Sequence, residues 1–135
     1  MADDLQLTLA NDLGELARVS EVVNAFLEGR GVARKVVYAT DLVLEEVLSN
    51  VIRHGYEDGS RHEIALAVGT DGTKVELQVV DDGRAFDPGS APVPHSDLPL
   101  ASRPTGGLGL QLLRTYVTEI RYERVGGRNR LWLRL

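Results

Sequence analysis

The chain has 135 residues, of which 43% are apolar, and its 15 basic and 20 acidic residues give a net charge of −5. This charge argues against general binding to the phosphate backbone of nucleic acids, and the lack of cysteine excludes disulfides and thiol catalysis. The even composition predicts one domain over residues 1–135, and an acidic N-terminus with no apolar run long enough for a bilayer predicts a cytoplasmic protein without membrane association.

The first elements carry no evident chemistry. Leu5 to Leu9 alternates leucine with polar residues, which predicts a strand with its leucines inward. Asp12 and Glu15 form a candidate capping pair for a helix that ends near Gly29 and Gly31. Its apolar residues recur at helical spacing: Leu13, Leu16, Val19, Val23, Phe26 and Leu27.

A second helix is predicted from Ala33 or Arg34 to just before Gly55. At about 100° per residue, Glu46 and Asn50 lie beside each other on one flank of its apolar stripe, and Glu45 lies on the other flank. Such a carboxylate can hold a nucleophile or water, and the amide oxygen suits Mg²⁺. Taken alone, the pair is more often a solvated glutamate beside an ordinary asparagine.

Apolar residues then recur at every second position, which is typical of strands. This pattern predicts a hairpin of His62–Val68 and Lys74–Val80 joined by a two-residue turn at Asp71-Gly72. Continuing the alternation places Asp81 on the core face with Val79, whereas Asp82 points outward. A carboxylate tolerated there needs a donor, such as a backbone N–H, a water or an exocyclic amine. Alternatively, the strand ends at Val80 and both aspartates cap the next turn.

Residues 87–105 are rich in proline and serine, and their apolar residues show no regular spacing. This composition predicts a long loop of the kind used as a lid or binding segment. A glycine cluster then opens a helix at residues 106–110, where it serves either as a phosphate cradle or as a flexible hinge. A last hairpin follows around Gly126-Gly127, with Trp132 on the face opposite its leucines. This tryptophan marks a partner surface or is partly covered by a neighbouring helix.

Three motifs stand in a specific order: Glu46-Val47-Leu48-Ser49-Asn50, Asp81-Asp82-Gly83, and Gly106-Gly107-Leu108-Gly109-Leu110. Together they resemble the N, G1 and G2 boxes of the GHKL superfamily of ATP-binding domains, in the branch of anti-sigma factor serine/threonine kinases. The resemblance covers nearly the whole chain. It implies an α/β two-layer sandwich of the Bergerat type, with a mixed, mostly antiparallel sheet and helices on one face.

The resemblance also implies the roles of single residues toward ATP and Mg²⁺. Asn50 would ligate Mg²⁺, Glu46 would be the general base, and Asp81 would receive the adenine amine. Gly83 would let the base approach, while Gly107 and Gly109 would cradle phosphates. The remaining residues placed around the nucleotide are His54, Phe86, Arg103, Thr105, Gly106 and Leu108.

Kinases of this branch often carry an arginine directly against the second glycine motif, whereas here Arg103 is displaced from it. Two functional classes therefore stay open. The first is a kinase that phosphorylates a STAS-domain anti-sigma factor antagonist, and the second is a non-catalytic ATP-binding module that sequesters its partner. Glu46 favours the kinase. A sigma factor is a further candidate partner, and the family is compatible with a homodimer.

Overall fold

The computed structural model describes residues 4–56, 58–85 and 115–135. In these ranges the strands are β1 (Leu5–Ala10), β2 (Glu63–Thr70), β3 (Val75–Asp81), β4 (Glu119–Val125) and β5 (Arg128–Arg134). Two helices, α1 (Leu16–Gly29) and α2 (Arg34–His54), lie between β1 and β2 in the chain. A short 3-10 helix, Leu13–Glu15, precedes α1.

The strands form one sheet in the order β1-β2-β3-β5-β4. All four pairings among the described strands are antiparallel, which agrees with the mostly antiparallel sheet that was predicted. Strand β5 lies between β3 and β4. The register sets Asp81 of β3 opposite Asn129 of β5.

The core lies between one face of the sheet and the two helices, as the predicted two-layer sandwich requires. Alternation directs Leu66, Leu77 and Leu133 inward from three neighbouring strands. Helices α1 and α2 contribute Val23 and Leu48 to the same buried cluster. Burial of these apolar side chains is the main favourable contribution to the stability of such a domain.

Two local expectations were wrong in detail. The connection between β2 and β3 is a four-residue turn over 71–74, not a two-residue turn, because the Asp71 carboxylate accepts hydrogen bonds from the N–H groups of Thr73 and Lys74, both at 2.8 Å. Asp12 caps the 3-10 helix through the Gly14 N–H, while the Glu15 carboxylate binds Arg18 instead of completing a capping box.

On β4 and β5, the outer face of the sheet carries mostly charged residues. Trp132 lies there, as predicted, and its ring is flanked by the guanidinium groups of Arg121 and Arg134, at 4.8 and 5.1 Å from the ring centre. Arginine side chains therefore give the partial cover that was expected from a helix. Among the described residues, no helix combines the length and the hydropathy needed to cross a bilayer.

Candidate functional site

The end of α2 forms one wall of a cleft. Asn50 and Glu46 are one turn apart, and the Asn50 side-chain N–H donates to Glu46 Oε1 at 3.1 Å, so the predicted adjacency is confirmed. Glu45 is exposed on the other flank of the helix, also as predicted. This hydrogen bond uses the nitrogen of the Asn50 amide, and it leaves the amide oxygen available as a ligand.

The environment of Glu46 makes its carboxylate more basic. Burial raises its pKa above the ordinary value, while the hydrogen bond from Asn50 and the charge of Arg53 oppose this shift. A carboxylate whose pKa is raised toward neutrality is a better proton acceptor than an exposed one.

The end of β3 forms the facing wall. Asp81 is only 6% exposed, whereas Asp82 is exposed, as the alternation predicts. Asp81 Oδ1 accepts hydrogen bonds from the Gly83 N–H at 2.8 Å and from the Asn129 side-chain amide at 3.0 Å. The strand continues through Asp81, yet the same side chain caps the following turn, so each alternative weighed from the sequence is partly right.

Gly83 is needed here for a close approach of two backbone segments. A Cβ at this position would lie 2.7 Å from the carbonyl oxygen of Gly55 and 2.9 Å from Asp81 Oδ1. The same Gly55 carbonyl accepts a hydrogen bond from the Arg84 N–H at 2.8 Å. The turn after β3 is thereby fixed against the C-terminal end of α2.

Asn129 is part of the site, and the sequence prediction missed it. Its buried amide donates to Asp81 Oδ1 and to the carbonyl of Arg84, and accepts from Tyr122 and Arg124. The alternation of side chains along β5 could have identified it. Leu131 and Leu133 point inward, so residue 129, two positions earlier, points inward as well. A polar residue at an inward position calls for a hydrogen-bonding partner.

One cleft between α2 and the sheet brings Asn50, Asp81 and Asn129 together, whereas Glu46 is linked to it through its hydrogen bond with Asn50. Asn50 and His54 lie on its helical wall, and Asp81 and Asn129 on its sheet wall. The other lining residues are Val47, Val51, Gly55, Val79, Arg84, Tyr122 and Leu131. Apolar walls with a few convergent polar groups are typical of a small-molecule site.

Residues 9–135 match the family described as the histidine kinase-like ATPase domain. The chain belongs to this family. Its membership confirms the predicted resemblance to ATP-binding domains, and it gives the cleft between α2 and β3 a chemical context.

Two relatives of this ATPase family member are named as protein kinases. The serine/threonine-protein kinase BtrW of Bordetella bronchiseptica is 31% identical over 96 residues, which cover 71% of this chain and 68% of that protein. The serine-protein kinase RsbW of Bacillus subtilis is 27% identical over 110 residues, covering 72% of this chain and 67% of that protein. These names agree with the class of enzyme predicted from the sequence.

Solved structures share the fold. The RsbU and RsbW domains of a Mycobacterium tuberculosis protein superpose with a TM-score of 0.64 at 20% identity, covering 96% of this chain but 31% of that one. A histidine kinase domain from a blue-light activated kinase of Erythrobacter litoralis gives a TM-score of 0.54 at 17% identity, over 91% of this chain and 59% of that one. The predicted α/β fold class is confirmed.

The remaining predicted site residues lie outside the described part of the chain. They are the phosphate-side glycines and the residues assigned around them: Phe86, Arg103, Thr105, Gly106, Gly107, Leu108 and Gly109. Their roles in this ATPase domain stay predictions. Among the described residues, Asp81 can supply a carboxylate that accepts a hydrogen bond from a ligand. Asn50 can supply an oxygen ligand for a cation, and Glu46 a carboxylate that accepts a proton.

Proposed function

We propose that this chain is an ATP-dependent serine/threonine protein kinase that transfers the γ-phosphoryl group to a STAS-domain anti-sigma factor antagonist. The observation that carries the proposal is the cleft itself. In a member of the histidine kinase-like ATPase family, it has Asn50, hydrogen-bonded to Glu46, on one wall and a buried aspartate on the other. The kinase names of two relatives give independent support.

Asp81 is suited to recognise the adenine of ATP. Its Oδ1 is occupied by two donors, and no described residue donates to Oδ2. Oδ2 is therefore the carboxylate oxygen that could accept from a ligand, and the exocyclic amine of adenine would provide the donor. Gly83 donates its N–H to this carboxylate and lets the turn after β3 lie close to Gly55.

The Asn50 amide fits the role of a magnesium ligand. Its nitrogen is engaged by Glu46, so its oxygen, the atom that Mg²⁺ prefers, stays available beside the cleft. One protein ligand is sufficient, because Mg²⁺ in kinases takes most of its remaining ligands from waters and substrate phosphates. When bound, the ion would neutralise part of the negative charge of the triphosphate.

Glu46 is proposed as the general base. It would accept the proton of the attacking hydroxyl while the oxygen–phosphorus bond forms and ADP leaves with the electrons of the broken bond. Its raised pKa supports this role, since the carboxylate holds a proton more tightly than an exposed glutamate. General-base assistance contributes roughly a hundredfold to ten-thousandfold in rate.

The partners and setting belong to the same proposal. We place the activity in the cytoplasm, with the STAS protein as substrate, a sigma factor as the second binding partner, and a homodimer as the assembly. Arg103 would contact the γ-phosphate from the loop before the glycine motif. An adjacent gene for a small STAS protein would provide the substrate for testing.

The test measures transfer of radiolabelled γ-phosphate to the purified STAS partner, beside calorimetric binding of Mg-ATP. Glu46→Gln should retain nucleotide and partner binding while transfer falls at least a hundredfold. Asn50→Ala should lose Mg-ATP affinity as well as transfer. Glu45→Gln is the matched control, because it removes an exposed carboxylate from the adjacent position and should leave both quantities unchanged.

One outcome would contradict the kinase assignment, and another would contradict only the role of Glu46. A wild-type protein that binds the partner and Mg-ATP but transfers no phosphate would be a sequestering module. Transfer by Glu46→Gln at the wild-type rate would remove Glu46 from the reaction while leaving the kinase assignment intact.

A further inference from the structure

Asn129 makes an unusually complete set of hydrogen bonds for a buried amide. It is 4% exposed and lies at the N-terminal end of β5, between β3 and β4 in the sheet. Its nitrogen donates to Asp81 Oδ1 at 3.0 Å and to the carbonyls of Arg84 and Gly83 at 2.8 and 3.3 Å. Its oxygen accepts from the Tyr122 hydroxyl and from Arg124 Nη1.

These partners permit only one orientation of the amide. The nitrogen faces three acceptors, and the oxygen faces two donors. If the amide were rotated by 180°, its oxygen would face carbonyl and carboxylate oxygens. Its nitrogen would face a guanidinium. The mismatches with Asp81 and with the Gly83 carbonyl would be buried, where an unmade hydrogen bond is most costly.

The orientation of Asn129 in turn fixes the carboxylate of Asp81. Two donors, one from Asn129 and one from the backbone of Gly83, converge on Oδ1. The plane of the carboxylate is thereby held, and Oδ2 is the oxygen left to accept from a ligand in the cleft. Without Asn129, a single backbone donor would remain on Oδ1, and the carboxylate could rotate.

Arg124 extends the arrangement to the edge strand. Its Nη1 donates both to Asn129 Oδ1 and to the Gly83 carbonyl, each at 2.9 Å. One guanidinium therefore contacts both residues that donate to Asp81. Its own strand, β4, is the outer strand next to β5, and Arg124 is not among the residues that line the cleft.

We propose that Asn129, held by Arg124, is a positioning residue that makes the cleft selective for a purine with an exocyclic amine over one with a carbonyl oxygen at the same place. It acts through Asp81 Oδ2, which accepts from an amine and repels an oxygen. This inference rests on the proposed nucleotide-binding function and adds the residues that determine its base specificity.

The experiment measures dissociation constants for Mg-ATP and Mg-ITP by calorimetry, since the two bases differ by an amine and an oxygen at the position that Asp81 would face. The readout is their ratio, which a merely stabilising residue would not change. Asn129→Ala should reduce the preference for ATP by roughly tenfold or more, because it frees the Asp81 carboxylate from a charge-assisted hydrogen bond. Arg124→Met should reduce it in the same direction while leaving the buried amide present.

Thr70→Val is the matched control. Thr70 is also a buried polar residue of the sheet, and its hydroxyl donates to the Lys74 carbonyl at 2.6 Å at the opposite end of β3. Its loss should lower stability without changing the nucleotide ratio.

The outcomes separate this inference from the function on which it rests. If the wild type prefers ATP and Asp81→Asn abolishes the preference, but Arg124→Met and a folded Asn129→Ala both keep it within twofold, the positioning role is overturned and the nucleotide site stands. If the wild type binds neither nucleotide, both fail. If Asn129→Ala does not fold, the Arg124→Met ratio decides alone.

Discussion

At the scale of single residues, Gly83 is a position where one added methyl group should have a large effect. A methyl group there would meet the Gly55 carbonyl oxygen at 2.7 Å, a distance at which the backbone must move. We expect Gly83→Ala to lower the free energy of unfolding by about 1–3 kcal/mol and to weaken Mg-ATP binding, because the turn that carries Asp81 is displaced. Urea denaturation and calorimetry measure the two effects.

Gly29→Ala is the control for this change. No atom lies within 4 Å of a Cβ at Gly29, which is the last residue of α1. Alanine there should be neutral or stabilising by up to about 1 kcal/mol, because of its higher helix propensity. A Gly83→Ala protein with wild-type stability and affinity would contradict the close approach to Gly55.

Glu46 gives a second prediction at this scale, in which stability and activity change in opposite directions. Its pKa in the folded state is raised by burial, so the folded protein binds more protons than the unfolded chain just above the ordinary pKa of glutamate. The free energy of unfolding therefore falls as the pH rises through this window. Glu46→Gln should remove this dependence and be at least as stable as the wild type at pH 7.

Denaturant midpoints measured between pH 4 and pH 8 test the prediction for Glu46. Glu45→Gln removes a neighbouring charge that helps to raise the pKa of Glu46, so it should reduce this pH dependence of stability without removing it. A Glu46→Gln protein that is less stable than the wild type at pH 7 would show that the ionised carboxylate contributes favourably to the fold.

At the scale of elements, the segment between α2 and β2 is joined to the end of β3 by His62. Its imidazole forms hydrogen bonds with carboxylate oxygens of Asp58 at 3.0 Å and Asp82 at 3.1 Å, and its ring stacks on Tyr56 with the ring centres 4.5 Å apart. The two carboxylates, Asp58 first, raise the pKa of His62. Hydrogen bonds from the Ser60 N–H and from His62 lower the pKa of Asp58 to about 2.

The pH dependence of this contact follows from the raised pKa. Protonated His62, paired with the two carboxylates, contributes to the free energy of unfolding. This contribution is complete below the pKa that His62 has in the unfolded chain, and it is lost as the pH rises through the higher pKa of the folded state. We expect Asp82→Asn to lower the pKa of His62, as measured by NMR titration of its ring protons. Asp71→Asn, in the distant β2–β3 turn, should leave that pKa unchanged, and an equal shift in both variants would contradict the local contact.

The elements also show which parts of the site could be predicted from the sequence. Glu46 and Asn50 are four residues apart on one helix, and Asp81 follows two-residue alternation, so local periodicity was sufficient for both. The contacts of Gly83 with Gly55 and of Asp81 with Asn129 join residues 28 and 48 positions apart. The first depends on how α2 packs against the sheet, and the second on the pairing of β5 with β3, neither of which a local pattern specifies.

At the scale of the whole molecule, the candidate cleft lies between the two layers of the domain. Its helical wall belongs to α2, and its other wall belongs to β3 and β5. A nucleotide that contacts both walls binds only the folded protein, so its binding free energy adds to the free energy of unfolding. At a concentration of 100 times Kd, this contribution is about 2.7 kcal/mol.

For a domain of this size, we expect that concentration of Mg-ATP to raise Tm by roughly 10 °C. Asp81→Asn presents a donor to the adenine amine and should abolish the shift at the same nucleotide concentration. Thermal scans of both proteins with Mg-ATP, Mg-ITP and magnesium alone measure the effect. An equal shift with Mg-ATP and Mg-ITP in the wild type would mean that the stabilisation comes from the triphosphate, and that Asp81 does not select the base.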